Sequence, residues 1–255
     1  MRNKGTTRWV LPTLLLAALI GAWQIAVSTG AIAETLDLEP FLVPSPAEIA
    51  SSLWSSRSLL AENAWVTLRE ILLGLACALI AGLGFAALMY RWVTIRLATY
   101  PLIVASQTIP VFVLAPILVV WFGYGVGPKL AIVALICFFP ITVSALGGLG
   151  SADPAAIKLM RSLDASRWQI FRRVEVPAAL PSIFTGVKIA VVFAPIGALF
   201  GEWAGSSAGL GHLILQDSAQ LEVAREFATV VVLAAIALVL MGLVVLAERR
   251  VVTWR

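Results

Sequence analysis

Six apolar runs divide the chain, at about Val10 to Val27, Ile71 to Tyr90, Leu102 to Trp121, Leu130 to Leu149, Ile183 to Phe200 and Phe227 to Leu246. Each is close to the ~20 residues an α-helix needs to cross the hydrocarbon of a bilayer. Lipid offers no partner to a backbone N–H or C=O, so such runs fold as helices that satisfy these groups internally. With 60% hydrophobic and 13% charged residues among 255 and a mean hydropathy of +0.97, the chain holds more apolar surface than a soluble domain of its length could hide. The expected fold class is all-α, a polytopic membrane protein with six transmembrane helices and both termini on one side.

The charges choose the side. A net charge of +4 and a pI near 9.4 would suit a nucleic-acid partner, but the basic residues sit in short clusters beside apolar runs, the pattern that orients a chain in a bilayer. With the amino terminus inside, Arg2, Lys4, Arg8, Arg91, Arg96, Lys158, Arg161, Arg167, Arg172, Arg173, Arg249, Arg250 and Arg255 face inward. Arg57, Arg69, Lys129 and Arg225 face outward, and Lys188 falls within a span, one turn from its inner end, where it can snorkel. Both termini are therefore expected in the cytoplasm, and no nucleic acid is expected as a partner. The first run competes with a signal peptide, since Ala31-Ile32-Ala33 resembles a cleavage site. Its length, and Trp23 and Gln24 within it, favour a retained helix.

Between the fourth and fifth runs lies the polar stretch Asp153 to Pro181. Asp153 is placed to cap a helix whose first residue is Pro154, where a missing N–H costs nothing. Ser166-x-x-Gln169 is a capping box for a second helix, which should stop near Val176 because Pro177 disfavours helical geometry before it. Asp164 between them tolerates a left-handed turn. The product is a helix-turn-helix knob, with Ala155, Leu159, Leu163, Trp168, Phe171 and Val174 as its apolar seam and Lys158, Arg161, Arg167, Arg172 and Arg173 keeping it basic.

These residues resemble the cytoplasmic coupling loop of the inner-membrane permease subunits of binding-protein-dependent ABC importers, whose signature is Glu-Ala-Ala, three residues, Gly, nine residues, Ile-x-Leu-Pro. That spacing places the triplet on Lys158-Leu159-Met160, the glycine on Asp164 and the last element on Val174-Glu175-Val176-Pro177. Triplet and glycine are both replaced; Arg161-Ser162-Leu163, Ala165-Ser166, Trp168 and Pro177-Ala178-Ala179-Leu180-Pro181 match the family. The resemblance implies that the knob inserts into a groove on an ATPase, through Lys158, Leu159, Met160, Arg161, Ser162, Leu163, Asp164, Ala165, Trp168 and Pro177. It also implies ABC ATPase subunits, a periplasmic or lipoprotein substrate-binding protein and a second permease subunit as partners, a homodimer being the simpler arrangement, in a bacterial inner membrane.

The third run holds Pro101, Ser106, Gln107, Thr108, Pro110 and Pro116. Backbone groups freed by proline need neighbouring helices or cavity water. This stretch, with Trp121-Phe122-Gly123-Tyr124-Gly125, resembles the pathway-lining helix of the family's nitrate, sulfonate, taurine and thiamine-precursor branch. It makes Ser106, Gln107, Thr108 and Pro110 candidates for lining the path, or for hydrogen bonding between helices. Ala194 through Trp203 and Ser206 through Gly211 resemble the outer gate of that branch, especially of members taking up pyrimidine precursors of thiamine. Glu202 there either shapes the gate or meets water or a helix end. From Ser28 to Trp65 the chain is polar and acidic, and Ile49, Leu53 and Leu60 suggest a short amphipathic helix at the interface or a solvated connector. Asp217, Glu222 and Glu226 extend an acidic outer rim.

No Gly-x-x-x-x-Gly-Lys-Ser/Thr loop occurs, so ATP hydrolysis is expected on a separate chain rather than here. Nor do the spans carry a relay of carboxylates and histidines for proton coupling. His212 is the single histidine, too little for a metal centre or a catalytic one, and no cofactor is expected. A transport subunit follows, its solute a thiamine pyrimidine precursor or a sulfonate- or nitrate-like anion; the alternative is a secondary transporter or channel that needs no ATPase. The expected organisation is a first helix and periplasmic segment over 1–66, a permease core over 67–249 that includes the loop 151–181, and a cytoplasmic tail over 250–255.

Overall fold

The computed structural model describes the backbone of residues 4–254 and the side chains of 10–254 except Leu36. Arg2 and Arg255, and the side chains of Lys4 and Arg8, all invoked in the charge count, lie outside the described residues. Among those described, regular structure is helical: α1 (Lys4–Ser28), α2 (Ala31–Leu36), α3 (Pro46–Ser55), α4 (Arg57–Arg91), α5 (Val93–Ser106), α6 (Val111–Phe122), α7 (Val126–Leu149), α8 (Pro154–Ser162), α9 (Arg167–Ile170), α10 (Val176–Trp203), α11 (Leu210–Gln220) and α12 (Val223–Val251). The chain divides into two compact units, one of residues 1–63 with 213–232, the other of 64–212 with 233–255.

In the first unit, α3 starts with a complete capping box in which Ser45 and Glu48 exchange hydrogen bonds. Its Ile49 joins Leu60, Leu213 and Ala228 in a buried cluster, with Trp23 and Leu53 packed against it. The apolar face of this helix is thus neither spread on an interface nor solvated, because protein covers it. Gln24 accepts a hydrogen bond from the Ala47 amide at 3.0 Å, and Trp23 meets Phe227 with ring centroids 6.2 Å apart, so both polar-edged residues of the first run have partners. Asp217, expected on a solvated rim, is fully buried and paired with Arg225 at 2.7 Å.

The second unit is built on α7 packed against α10. Ile71, Leu75 and Ala78 of α4, Val133, Cys137 and Ile141 of α7, and Ala190, Val191 and Ala194 of α10 form its core, with Leu240 of α12. Small residues let the helices approach closely, as membrane helices must when lipid removes any hydrophobic drive to associate. At Gly186 a Cβ would lie 2.6 Å from the Pro140 carbonyl oxygen and 2.7 Å from the Ser144 Cβ. Backbone cannot yield there, so Gly186→Ala should destabilise the unit by about 1–3 kcal/mol, read as a lower heat-unfolding midpoint in detergent. Gly84→Ala, where nothing lies within 4 Å, should leave the midpoint unchanged or raise it, since alanine is the better helix former.

Five helices are long and apolar enough to cross a membrane, and a sixth crossing exists if one bent pair is counted as a single span. The bent pair is the third run: α5 and α6 meet at 102° across residues 107–110. Pro110 is the cause, for its ring disfavours helix at Ile109 and it has no N–H to return to Ser106. Each half is too short to cross alone, α6 with 12 residues being about 18 Å long against a ~30 Å core. A second departure lies at Pro177. The helix from Ser166 does not stop there; residues Phe171–Glu175 widen into a π turn, with the Val176 amide bonded to the Phe171 carbonyl, and Pro177 enters the first turn of α10. The wider turn accommodates the ring without breaking the helix. The result runs from Arg167 to Trp203.

Candidate functional site: a knob and a clamp at opposite ends of one helix

The knob forms at the start of this long helix. Asp153 caps α8, its side chain accepting from the Ala155 amide at 2.8 Å, and Ser166 and Gln169 complete their capping box. Asp164 takes the left-handed turn at φ 53°, the position where the family's signature has glycine, and aspartate adopts it at modest cost. The apolar seam does not close. Leu159, Leu163 and Trp168 are 61%, 69% and 66% exposed, and Trp168 stacks on Phe171 at 5.6 Å with one face left open. A nine-residue helix and a four-residue one give too small a surface to bury these side chains; within α8 and α9 only Ile170 is buried. Lys158, Arg161, Ser162 and Asp164 are exposed, Met160 and Ala165 half-buried, and Pro177 half-buried in the first turn of α10.

At the other end of α10, Glu202 is 1% exposed. Its Oε1 accepts from the Thr67 hydroxyl of α4 at 2.6 Å, and its Oε2 from the amides of Gly211 and His212. Thr67 in turn accepts from the Leu210 amide at 2.8 Å. The first three N–H groups of α11, which no intrahelical carbonyl can reach, are thereby satisfied by side chains of two other helices. A carboxyl group also suits the positive end of the helix dipole. Gly209 takes φ +115° in this loop, and a Cβ there would collide with the Glu202 carboxylate. Beside it Lys129 of α7 pairs with Glu70 of α4 at 2.7 Å and reaches the Ser206 hydroxyl at 2.6 Å. Trp203 completes the clamp by donating to the Gly211 carbonyl at 3.0 Å.

Glu202 therefore faces no open path in this structure: both its oxygens are engaged, one of them at a helix end. Ser106, Gln107, Thr108 and Pro110 lie together at the α5/α6 elbow, and all are exposed. Ser106 and Thr108 donate to the carbonyls of Ile103 and Ala105, and Gln107 to Ser106. Among the described residues their hydrogen bonds stay within their own segment and glue no other helix. Lys129, expected in an outer loop, is buried inside α7, and Lys188 does not snorkel but pairs with Glu248 at 2.9 Å. In both cases a carboxylate on a neighbouring helix makes burial of the amine affordable. Thr67, Glu70, Lys129, Ser206 and Gly209 were not legible as a group. Opposite charges at the edges of two apolar runs, Glu70 and Lys129, with a Gly-rich loop after Glu202, are the signal that could have found them.

Residues 70–253 match the model of the binding-protein-dependent transport system inner membrane component family, and the chain belongs to that family, the membrane permease subunits of ABC importers. It is 37% identical to the formylaminopyrimidine transport permease ThiX of Halalkalibacterium halodurans over 96% of this chain and 95% of that protein. It is 36% identical to the riboflavin transport permease RibX of Chloroflexus aurantiacus over 96% and 89%. Among solved structures, the inward-facing methionine ABC transporter shares the fold, with a TM-score of 0.64 at 20% identity over 78% of this chain and 97% of that one.

Proposed function

We propose that the chain is the path-forming half of an ATP-driven importer in which the knob receives the stroke of a separate ATPase and α10 delivers it to the clamp. One observation carries this reading: an uninterrupted helix of 37 residues from Arg167 to Trp203, about 55 Å long, has exposed apolar side chains at its first end and the Glu202 clamp at its last. A rigid element of that length moves both ends together. Leu159, Leu163 and Trp168 are the contacts that enter the ATPase groove, with Lys158, Met160, Arg161, Ser162, Asp164 and Ala165 around them. Pro177 sets the joint to α10. The positive-inside bias puts this end, and both termini, in the cytoplasm of a bacterium bounded by this inner membrane.

The path runs between two copies of the chain. Irregular backbone at membrane depth is tolerated only where protein or water covers it, and the exposed elbow of Ser106, Gln107, Thr108 and Pro110 meets that condition if it faces the path at a homodimer interface. A binding protein delivers the solute at the end opposite the knob. Two relatives named for formylaminopyrimidine and riboflavin support a nitrogen heterocycle as its class; a pyrimidine precursor of thiamine stands first, and sulfonate- or nitrate-like anions behind it. The test is uptake into proteoliposomes holding the permease together with its ATPase and binding protein. Labelled formylaminopyrimidine should accumulate only with ATP inside the ATPase compartment; accumulation of a sulfonate instead would overturn the solute, and uptake indifferent to ATP would overturn the importer.

A further inference from the structure

Between the last turn of α4 and the knob lies a cleft of about 610 Å³, within the range of small-ligand sites. Three guanidinium groups from three helices line it: Arg91, the last residue of α4, Arg161 in the last turn of α8, and Arg167, the first residue of α9. Among the described residues neither Arg161 nor Arg167 has a carboxylate partner, and Arg91 rests over the neighbouring Trp92 ring at 5.7 Å. The one carboxylate in the lining, Glu175, lies against Tyr90. The cleft thus holds a net excess of two positive charges, carried by the side chain best shaped for two-point contact with phosphate oxygens.

The lining also holds apolar side chains. Ala87 stands one turn inside Arg91 on α4, toward the apolar run, and Phe171 and Trp168, stacked on each other, also line the cleft. Charge at the mouth and apolar surface toward the membrane fit an amphiphile. We propose that this cleft holds the phosphate of an anionic phospholipid, headgroup on Arg91, Arg161 and Arg167 and glycerol end along Ala87 and Phe171. The site would seat a lipid where the knob joins the bundle. The inference rests on the cytoplasmic placement of the knob, since basic pockets at that face meet anionic lipid. A soluble phosphate compound shares the headgroup chemistry but has no use for the apolar side chains.

The experiment takes the full-length chain, purified in detergent with its ATPase, and records by native mass spectrometry what it retains from dioleoyl phosphatidylglycerol, dioleoyl phosphatidylcholine or inorganic phosphate. A photoactivatable phosphatidylglycerol maps the site. The expected result is retention of phosphatidylglycerol alone, crosslinks in residues 87–91 and 167–175, and roughly 20-fold weaker retention in the Arg91→Gln/Arg167→Gln double variant. Equal retention by the double variant, equal retention of phosphatidylcholine, or protection of these peptides by inorganic phosphate without lipid binding would each overturn it. Loss of the ATPase with the lipid retained would count against the coupling role of the knob and leave the lipid site standing.

Discussion

Lys129→Met is expected to be among the most damaging single changes in the chain, lowering stability by about 3–5 kcal/mol. The amine of Lys129 neutralises Glu70, which is 3% exposed and shares its pocket with the Glu202 carboxylate. Removing the amine leaves two acidic groups buried side by side without a cation, whereas the methionine side chain fills nearly the same volume, so the loss is electrostatic rather than a cavity. The matched control is Lys129→Met with Glu70→Leu, in which neither charge remains; replacing both members of a buried pair by apolar groups is commonly near neutral. Heat unfolding in detergent, followed by tryptophan fluorescence, should rank wild type and the double variant together and the single variant well below. A single variant that unfolds with the wild type would show that the pair holds nothing. Ser206 keeps the Ala208 carbonyl as an acceptor in every variant, so its own burial does not confuse the comparison.

The second large effect falls at the other end of α10. Leu163→Glu or Trp168→Glu should abolish ATP-driven uptake and leave membrane insertion and heat stability intact. Leu163 and Trp168 are 69% and 66% exposed, so a charge at either position costs the isolated chain little. In a docked state the same carboxylate would be driven into an apolar contact, where an unpaired charge is costly. The separation of the two readouts is the point: a merely structural role would lower stability with transport. Uptake at the wild-type rate in reconstituted vesicles would remove the knob from the coupling path.

The parts of the fold legible in the sequence were those fixed by neighbours in the chain. The caps at Asp153 and Ser166, the left-handed Asp164 and the apolar runs follow from local chemistry, and each has a short-range cause. Helix continuation was not legible at Pro177, because the π turn that absorbs the proline depends on the helix beyond it. The 102° bend at Gln107 to Pro110 was signalled by Pro110, yet run length alone read it as a straight span. The knob's apolar residues were visible but their direction was not, since helical spacing says which side chains share a face and not whether the chain itself covers that face. The clamp was least legible of all. Glu70, Lys129 and Glu202 lie 59 and more positions apart, and only the packing of α4, α7 and α10 brings them together.

Position 163 offers the most direct test of the central claim that force enters at the knob. A cysteine placed there on a background without Cys77 and Cys137 can be probed in intact cells, first with a membrane-impermeant thiol reagent and then with a short bifunctional crosslinker. No labelling from outside is expected, and a crosslink should form to a separate ATP-hydrolysing chain, its yield changing when ATP is trapped. Labelling from outside the intact cell, or a fully active transporter that yields no such crosslink, would contradict that claim.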